Sequence, residues 1–271
     1  MILRHSFALL VLTAVFRQAP AQTPAPAELI DQLVANAEQY RATLPSLTAD
    51  ETISSVVSYR GILPDKVQAT ATLRAIRPAP GEQIQESRQY LTINGKPFDP
   101  AKKSNPPYTL FGGFGGFQEM FFTAGHKRCF LFTLLPDQGT GGSIQIAIAA
   151  RPDMAGMPGC DVTRSGLTGL IRLDPQTHHI VHLERTIPDD QTEHTNLAAF
   201  ASVDLAPTRV GDDTFWLPTT VIGRSPKRAI RGECIMHYSN YHRYTASMKL
   251  LPGATEVDPP TPTPPPTSTP P

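Results

Sequence analysis

The sequence predicts a mainly β protein, an antiparallel meander of strands with one N-terminal helix and a short helical flap. Three observations lead to this prediction. Many segments alternate apolar and polar residues with the period of a strand. Turn signals built from Gly, Pro, Asn and Asp recur about every ten residues. Helical periodicity is clear in only one segment, close to the N-terminus.

The first 21 residues have the layout of an export signal. A basic residue, Arg4, precedes an apolar run from Phe7 to Phe16, and Ala19-Pro20-Ala21 fits the small-x-small cleavage rule. The apolar run is shorter than the roughly 20 residues that a membrane-spanning helix needs. We therefore predict cleavage after Ala21 and an exported protein, periplasmic or extracellular, without a transmembrane anchor.

The remaining chain divides into one predicted domain and a tail. Residues 22–253 suit a single β-rich domain, and we find no linker that would divide them. Residues 254–271 consist mostly of Pro and Thr, and the stretch from Asp258 has no residue that could anchor a core. Such a composition predicts an extended, disordered tail.

The segment from Ala27 to Arg41 is the predicted helix. Leu29, Leu33, Ala37 and Tyr40 recur at helical spacing and form one apolar stripe. A short amphipathic helix of this kind would pack its stripe against a sheet.

The segments after the helix are predicted strands. A β-like stretch, "ATLPSLTADETISSVVSYRG", comes first. The pair Asn94-Gly95 is a strong signal for a two-residue hairpin turn, because both residues tolerate positive φ. Seven further segments have strand character: "VQATATLRAIR", "QIQESRQYLTI", "CFLFTLL", "SIQIAIAAR", "LAAFASVDL", "TFWLPTTVIG" and "GECIMHYSNYHRYT".

A segment rich in Phe and Gly, "LFGGFGGFQEMFF" from Leu110, interrupts the strands. It is not a phosphate-binding loop, because Gln118 stands where the third glycine would be and no Gly-Lys-Ser/Thr follows. One interpretation is an apolar flap over a ligand. The other is a buried loop and short helix that complete the core. Under the first interpretation four residues would contact a ligand: Phe111, Phe114, Phe117 and Phe121.

The segment from Gly169 to Thr186 is a predicted β-hairpin, although three histidines lie close together in it. Asp174-Pro175-Gln176-Thr177 suits a type I turn. One face would be buried by four apolar residues: Ile171, Leu173, Val181 and Leu183. His178 and His182 would face one way and His179 the other, so the three cannot reach one ion. We expect ordinary surface histidines, with a two-histidine metal site as the less favoured alternative.

Three cysteines remain in a chain that is predicted to reach an oxidising compartment. One disulfide with one cysteine left over is the simplest arrangement. We favour Cys129 with Cys160, because this bond would join an apolar strand to the turn-rich segment "RPDMAGMPG". Cys234 lies in a strand-like run and is predicted to be buried.

The strand from Gly232 to Ser247 mixes aromatic and polar residues on both faces. Alternation puts Tyr238 and Tyr244 on one face and Tyr241 on the other. We predict one of the last strands of the sheet, at a rim. Tyr238 and Tyr244 would either line a ligand mouth or form a structural tyrosine ladder.

Charge and motifs exclude several classes of function. The chain has 24 basic and 24 acidic residues, and loss of Arg4 and Arg17 with the signal leaves a formal charge of −2. This balance gives no electrostatic case for nucleic acid. No HExxH, GxSxG or CxxC motif occurs, so no catalytic residue, cofactor or metal ligand is assigned.

The succession of motifs resembles a known group of proteins. The motifs are "YRATLPSLTADETISS", "GGFGGFQEMFF", "CFLF", "GLIRLDPQTHHIVHLE", "VGDDTFWLPTTVIGR" and "MHYSNYHRYTAS". They resemble exported β-rich bacterial proteins common in acidobacteria, whose meander is similar to the lipoprotein-carrier (LolA-like) half-barrel. The resemblance implies a curved half-barrel sheet and an exported location; fold alone does not establish activity.

The sequence supports two hypotheses for function and, more weakly, a third. The leading one is a non-enzymatic binding protein that holds an apolar ligand, such as a lipid or acyl chain, on a concave sheet. The second is an envelope protein that docks another protein through a sheet edge or the Pro-rich tail. The third is a hydrolase without a recognisable motif.

Overall fold

The structure is a computed structural model that describes residues 23–59, 65–79, 82, 84–101, 120–136, 142–161, 166–188, 199–226 and 230–244. The predicted signal peptide and tail lie outside these residues. So do Phe111, Phe114 and Phe117, and with them most of the predicted flap. Only its end, at Met120 and Phe121, is described as helical.

Within the described part of the chain, twelve strands form one curved, open antiparallel sheet. The strands are β1 (Thr23–Pro24), β2 (Leu47–Tyr59), β3 (Asp65–Ile76), β4 (Gln85–Ile93), β5 (Lys96–Pro97), β6 (Phe130–Leu134), β7 (Ile144–Ala150), β8 (Thr168–Leu173), β9 (Ile180–Thr186), β10 (Phe200–Val210), β11 (Asp213–Pro226) and β12 (Ile230–Arg243). Across the sheet their order is β1, β6, β7, β8, β9, β10, β11, β12, β2, β3, β4 and β5. The predicted fold class, a mainly β half-barrel with an N-terminal helix, is confirmed.

Sequential pairing accounts for most of the sheet. From β6 to β12 each strand pairs with the next along the chain, and β2 to β5 do the same. The two runs join where β12 pairs with β2, between residues such as Arg231 and Ser58 that are 173 positions apart. β12 therefore lies inside the sheet. Its predicted place at a rim is wrong, because the N-terminal strands continue the sheet beyond it.

The helix α1 (Ala27–Thr43) packs on the buried face of the sheet. Its buried residues follow one stripe: Ile30, Leu33, Val34, Ala37 and Tyr40. The predicted helix ends two residues earlier, at Arg41. The predicted stripe includes Leu29, which is half-buried, and omits the buried Ile30 and Val34. Helical spacing of apolar residues was therefore a sufficient signal for this element.

Alternation in β2 and β3 defines the buried face of the sheet. In β3 every second residue from Val67 to Ala75 is buried, and the residues between them are exposed or half-buried. In β2 the buried series runs from Leu47 to Val57 and includes Glu51 and Ser55. Because side chains alternate along a strand, each series points to one side of the sheet. A charged residue, Glu51, therefore lies among apolar neighbours.

The turn between β4 and β5 is the predicted two-residue hairpin turn. Ile93 pairs with Lys96, and the two residues between them, Asn94 and Gly95, have φ values of 49° and 74°. Positive φ at both central positions is the geometry of a type I′ turn. Asn and Gly are the residues that adopt it at least cost, which explains why the signal was reliable.

A disulfide joins Cys129 to Cys160, the pair that the sequence favours, with the two Cα atoms 5.6 Å apart. Cys129 immediately precedes β6, and Cys160 lies in the turn-rich segment between β7 and β8. The bond thus holds this segment against the sheet. Cys234, on β12, is buried as predicted.

β8 and β9 form the predicted hairpin, but a bulge changes its buried face. Leu173 pairs with Ile180 and Arg172 pairs with His182, so Val181 is the extra residue. Ile180 is buried, as are the predicted residues Ile171, Leu173 and Leu183, whereas Val181 is half-buried. The predicted position of Val181 on the buried face is therefore wrong.

The turn of this hairpin is wider than the predicted type I turn. The N–H of His178 donates to the carbonyl oxygen of Asp174 at 2.9 Å, which closes an i to i+4 turn, and His178 has a φ of 55°. Asp174 Oδ1 accepts hydrogen bonds from the N–H groups of Thr177 at 2.7 Å and Gln176 at 3.0 Å. These bonds, above all the one from Thr177, lower the pKa of Asp174.

His182 is not the surface histidine that the sequence predicted. Only 8% of it is exposed. Its Nδ1 lies 2.5 Å from Asp204 Oδ1, and its Nε2 lies 2.8 Å from Glu184 Oε1. Pairing of β9 with β10 brings Asp204 directly opposite His182. The prediction is wrong because it considered one hairpin without the strand beside it.

Candidate functional site

A cavity of about 420 Å³ lies between α1 and the beginnings of β9 and β11. Helix and sheet both contribute to its walls, through Leu33, Asn36, Gln39, Tyr40, Thr43, His179, Ile180, Asp213, Thr214, Phe215 and Trp216. Small-molecule pockets typically measure about 300 to 1,000 Å³. We refer to this candidate site as the helix-side cavity.

An aromatic stack forms one wall of the helix-side cavity. Trp216, the only tryptophan of the chain, stacks on the imidazole of His179 with ring centroids 5.0 Å apart and an interplanar angle of 19°. Phe215, the preceding residue of β11, also lines the cavity. Such rings offer large apolar surfaces together with a polar edge. The wall therefore suits a ligand with an apolar body.

The turn between β8 and β9 holds His179 in place. His178 Nδ1 lies 2.9 Å from Gln32 Oε1 of α1, so this turn contacts the helix. The next residue, His179, contacts β11 through Trp216. The turn consequently lies beside both sides of the cavity and limits its opening.

Asn36 introduces an amide into the helix side of the cavity. Its Nδ2 is buried and makes no hydrogen bond within the described part of the chain. A buried, unsatisfied amide nitrogen costs about 1 to 3 kcal/mol. Asn36 follows Leu33 by three residues and precedes Tyr40 by four, so it lies on the buried stripe of α1. A polar residue within an apolar stripe is a sequence signal that points to this position.

The charges at the cavity largely compensate one another. Asp213 Oδ2 lies 3.2 Å from Arg243 Nη2 at the adjoining end of β12. The pair is well exposed, so it contributes little to stability. Among the lining residues that the structure describes, Asp213 and His179 are those with an acidic or a basic side chain. The walls thus favour an uncharged or weakly polar ligand.

A second polar feature, the buried Glu51–Arg88 pair, lies within the sheet. Arg88 Nε on β4 donates to both carboxylate oxygens of Glu51 on β2, at 3.0 and 2.8 Å. The Glu51 side chain is fully buried and that of Arg88 is 10% exposed. Tyr238 on β12 is directly opposite Glu51 and hydrogen-bonds to this pair. The pair therefore connects three strands.

Burial and charge shift the pKa values of this cluster. Burial has the largest effect on the pKa of Arg88 and lowers it, but the combined effects of Glu51, Tyr238 and Glu86 raise it by more, so the net shift is upward. Burial, followed by the negative charge of Glu51, raises the pKa of Tyr238 well above its ordinary value. Burial is also the main reason why the pKa of Tyr241 is raised. The two phenols are consequently protonated under ordinary conditions.

A bulge in β12 brings Tyr241 to the buried face. The pairing of β12 with β2 shifts between Ser239 and His242, and Asn240 has a φ of 52°. Tyr238 and Tyr241 are both buried, and the Tyr241 hydroxyl donates to the carbonyl oxygen of Pro218. The prediction that Tyr241 faces away from Tyr238 is therefore wrong, because simple alternation cannot anticipate a bulge.

The structure does not bring the predicted ligand-contact residues together at the helix-side cavity. Phe121 is fully buried and packs edge-on against Phe130, with ring centroids 5.0 Å apart. Tyr238 belongs to the Glu51–Arg88 cluster. Tyr244 is half-buried, and its N–H donates to the carbonyl oxygen of Ser46. The other three predicted residues, Phe111, Phe114 and Phe117, lie outside the described residues.

The three hairpin histidines have separate surroundings. His178 contacts Gln32, His179 stacks on Trp216, and His182 lies between two carboxylates. Across the described ranges, no group of three or more His, Cys, Asp or Glu side chains is arranged to hold a metal ion. Nor does any helix in those ranges have the length and apolar character needed to cross a membrane.

Comparison with known proteins gives structural matches. No protein family model and no curated protein sequence matches the chain. Among solved structures, a DUF1329 family protein from Desulfovibrio piger has a TM-score of 0.41 and 8% identity, and the match covers 83% of this chain and 95% of that one. An outer membrane lipoprotein-sorting protein domain from Vibrio parahaemolyticus has a TM-score of 0.39 and 11% identity, with 85% and 96% covered.

A LolA superfamily protein from Nitrosomonas europaea is also similar, with a TM-score of 0.35 and 10% identity over 80% of this chain and 94% of that one. These proteins include the LolA-like group that the sequence motifs resemble. At such low TM-scores and identities the likeness carries no functional argument. The function has to be inferred from the residues of this chain.

Proposed function

We propose that this protein is an exported, non-enzymatic binding protein and that the helix-side cavity holds a small amphipathic ligand, such as an acyl chain with an uncharged polar end. The observation that supports it is a cavity of about 420 Å³ between α1 and the sheet, with an aromatic wall formed by Trp216 and Phe215. Leu33 and Ile180 extend the apolar surface. The polar end of the ligand would lie near Asn36.

The cavity can supply useful affinity from apolar contact alone. Each methylene removed from water contributes about 0.8 kcal/mol, so about six buried methylenes contribute about 5 kcal/mol before the cost of association. An acceptor oxygen on the ligand would also accept a hydrogen bond from Asn36 Nδ2 after a small rotation of the amide, which would remove the cost of the unsatisfied nitrogen.

Binding suits this cavity better than catalysis. Of its described lining residues, Asp213 is already paired with Arg243, and His179 is stacked on Trp216. A nucleophile hydrogen-bonded to a base is the usual sign of covalent catalysis, and the described walls contain no such pair. We therefore assign the cavity to ligand binding.

Trp216 provides a direct test, because all tryptophan fluorescence of the chain arises in this cavity wall. Dodecan-1-ol serves as an uncharged probe, and we expect saturable changes in emission as it is added. Thr43→Phe at the end of α1 would place a ring in the cavity and weaken binding about tenfold or more. Ala42→Phe is the matched control, since Ala42 is exposed and does not line the cavity.

Two outcomes would contradict the proposal. One is an absence of saturable binding by dodecan-1-ol while circular dichroism shows an intact fold. The other is equal binding by the two Phe variants. Native mass spectrometry of protein purified from a bacterial host gives a second test, in which we expect a retained lipid that is lost with Thr43→Phe. N-terminal sequencing of the exported protein tests the location and should begin at Gln22.

One observation favours the alternative, an envelope interaction protein. β4 pairs with β5 at Thr92–Pro97 and Ile93–Lys96, and the N–H of Phe98 donates to the carbonyl oxygen of Leu91, so within the described part of the chain no strand pairs with the outer edge of residues 85–90. Leu91 on this strand is 48% exposed. Such an edge can accept a strand from a partner. Crosslinking in the native envelope, with and without residues 258–271, tests this function; capture by neither form would contradict it.

A further inference from the structure

A second pocket lies at the opposite end of the strands from the helix-side cavity. It measures about 800 Å³ and is formed where β2, β9, β10, β11 and β12 approach one another. Its apolar wall contains Val56, Ile187, Pro188 and Phe200. Val56, on an inner strand of the sheet, is 41% exposed. We refer to this site as the strand-end pocket.

The charged residues of the strand-end pocket leave one positive charge uncompensated. Arg224 lies over the ring of Phe200, with the guanidinium carbon 5.2 Å from the centroid, and forms an ion pair with Glu233. These two charges cancel. Arg231 also lines the pocket, and within the described part of the chain its guanidinium makes no hydrogen bond or ion pair. The lining therefore carries a net charge of about +1 from Arg231.

The apolar wall and the charges lie on one face of the sheet. Phe200 pairs with Arg224, Arg224 with Glu233, and Glu233 with Val56, so these four residues form one row across the strands. Arg231 is two residues from Glu233 on β12, and because side chains alternate along a strand it lies on the same face. A chain against Val56 and Phe200 would therefore lie beside the guanidinium of Arg231.

We propose that the strand-end pocket is a second binding site, for an amphiphile that carries one negative charge. Its apolar chain would lie against Val56, Pro188 and Phe200. Its acidic group would accept hydrogen bonds from the guanidinium of Arg231. Charge complementarity selects an anion, and the apolar wall selects a chain over a small inorganic ion.

This site is distinct from the one proposed above. β9 and β11 run from the helix-side cavity, at Ile180 and Trp216, to the strand-end pocket, at Thr186 and Arg224. Between them Leu183 is fully buried. The two sites are therefore separated by packed core, and the second proposal does not depend on the first.

Dodecanoate and dodecan-1-ol form a matched pair of probes, because they have the same chain length and differ in charge. Binding to the full-length mature protein is measured by isothermal titration calorimetry, in the wild type and in Thr43→Phe, which blocks the helix-side cavity. In Thr43→Phe we expect dodecanoate to bind at least about tenfold more tightly than dodecan-1-ol, the gain from one charge-assisted hydrogen bond.

Substitutions at the pocket assign the binding to Arg231. Arg231→Gln should weaken dodecanoate binding about tenfold and leave dodecan-1-ol unchanged, and Arg231→Lys should restore most of the loss. Arg74→Gln is the control, because Arg74 is an exposed arginine of β3 that does not line the pocket.

Three results would overturn the proposal. They are an absence of dodecanoate binding in Thr43→Phe, equal affinity for the two probes, and an equal effect of Arg231→Gln and Arg74→Gln. Each variant is checked by circular dichroism, and Arg231 is exposed enough that its replacement should not disturb folding. Trp216 emission reports only on the helix-side cavity, so a failure of one site is distinguishable from a failure of the other.

Discussion

The buried Glu51–Arg88 pair should be strongly coupled. Arg88 Nε contacts both oxygens of Glu51, the Glu51 side chain is fully buried and Arg88 is 10% exposed. Removal of one member leaves the other as an uncompensated buried charge, at a cost of about 3 to 5 kcal/mol. We therefore expect Glu51→Leu and Arg88→Met each to lower the free energy of unfolding by about this amount. That is about a third or more of the stability of a typical domain.

The double variant distinguishes this argument from simple loss of packing. Glu51→Leu with Arg88→Met replaces both charges by apolar groups, and such replacements are often neutral or stabilising. We expect it to be more stable than either single variant, with a coupling energy of about 3 kcal/mol or more. Urea denaturation, followed by Trp216 fluorescence and circular dichroism, gives the free energies. Single-variant losses below about 1 kcal/mol, or a double variant that equals the sum of the singles, would refute the reasoning.

Three further predictions concern the disulfide, the buried phenols and one glycine. Replacement of Cys129 and Cys160 by Ser, which opens a loop with a separation of 31 residues, should lower the free energy of unfolding by about 3 to 4 kcal/mol in urea titrations. Because the pKa values of Tyr238 and Tyr241 are raised above about 10, the stability from their protonated forms is complete below that pH and falls as pH rises above it. Phenolate absorbance should therefore show these two phenols ionising only with alkaline unfolding. Gly232→Ala would place a Cβ 2.1 Å from a backbone oxygen of β2, so we expect thermal unfolding to show a loss of about 1 to 3 kcal/mol or more.

Each of these predictions has a control. Reduction of the wild-type protein should destabilise it as much as the double Ser variant does; a stable reduced protein contradicts the disulfide argument. The chain has seven tyrosines. If all seven ionise while the protein is still folded, the phenol argument is contradicted. Gly125→Ala is the control for Gly232, because a Cβ at Gly125 meets no atom within 4 Å in the part of the chain that the structure describes. Equal effects of the two Ala variants would contradict the steric explanation.

Local signals predicted much of the fold. The stripe from Leu33 to Tyr40 gave α1, and Asn94-Gly95 gave the hairpin turn, because both patterns act over a few residues. Bulges at Val181 and Asn240 were not predictable, since one extra residue reverses the faces of a strand without a change in composition. The pairing of β12 with β2 was also missed, because it joins distant parts of the chain.

The candidate sites were less predictable than the fold for the same reason. The helix-side cavity combines residues 33–43, 179–180 and 213–216, and no local spacing relates these segments. Clusters of aromatic residues in the sequence predicted a different set of ligand contacts. Of these residues, Phe121 belongs to the fully buried core. Asn36 and the single tryptophan were available signals, but each gains meaning only from the packing of α1 beside β11.

The core packed on the buried face of the sheet constrains how any ligand can bind. The leading hypothesis from sequence placed an apolar chain along the concave face, yet Ile53, Val221 and Met236 on three neighbouring strands are at most 1% exposed there. A chain laid along this face would have to displace that core, at a cost of several kcal/mol for each side chain moved. Space remains instead at the two ends of the strands, where the walls carry polar groups that have no partner among the described residues. Apolar contact at either end is therefore combined with a polar group that fixes the orientation of the ligand, and recognition depends on the head of the ligand as well as on its chain.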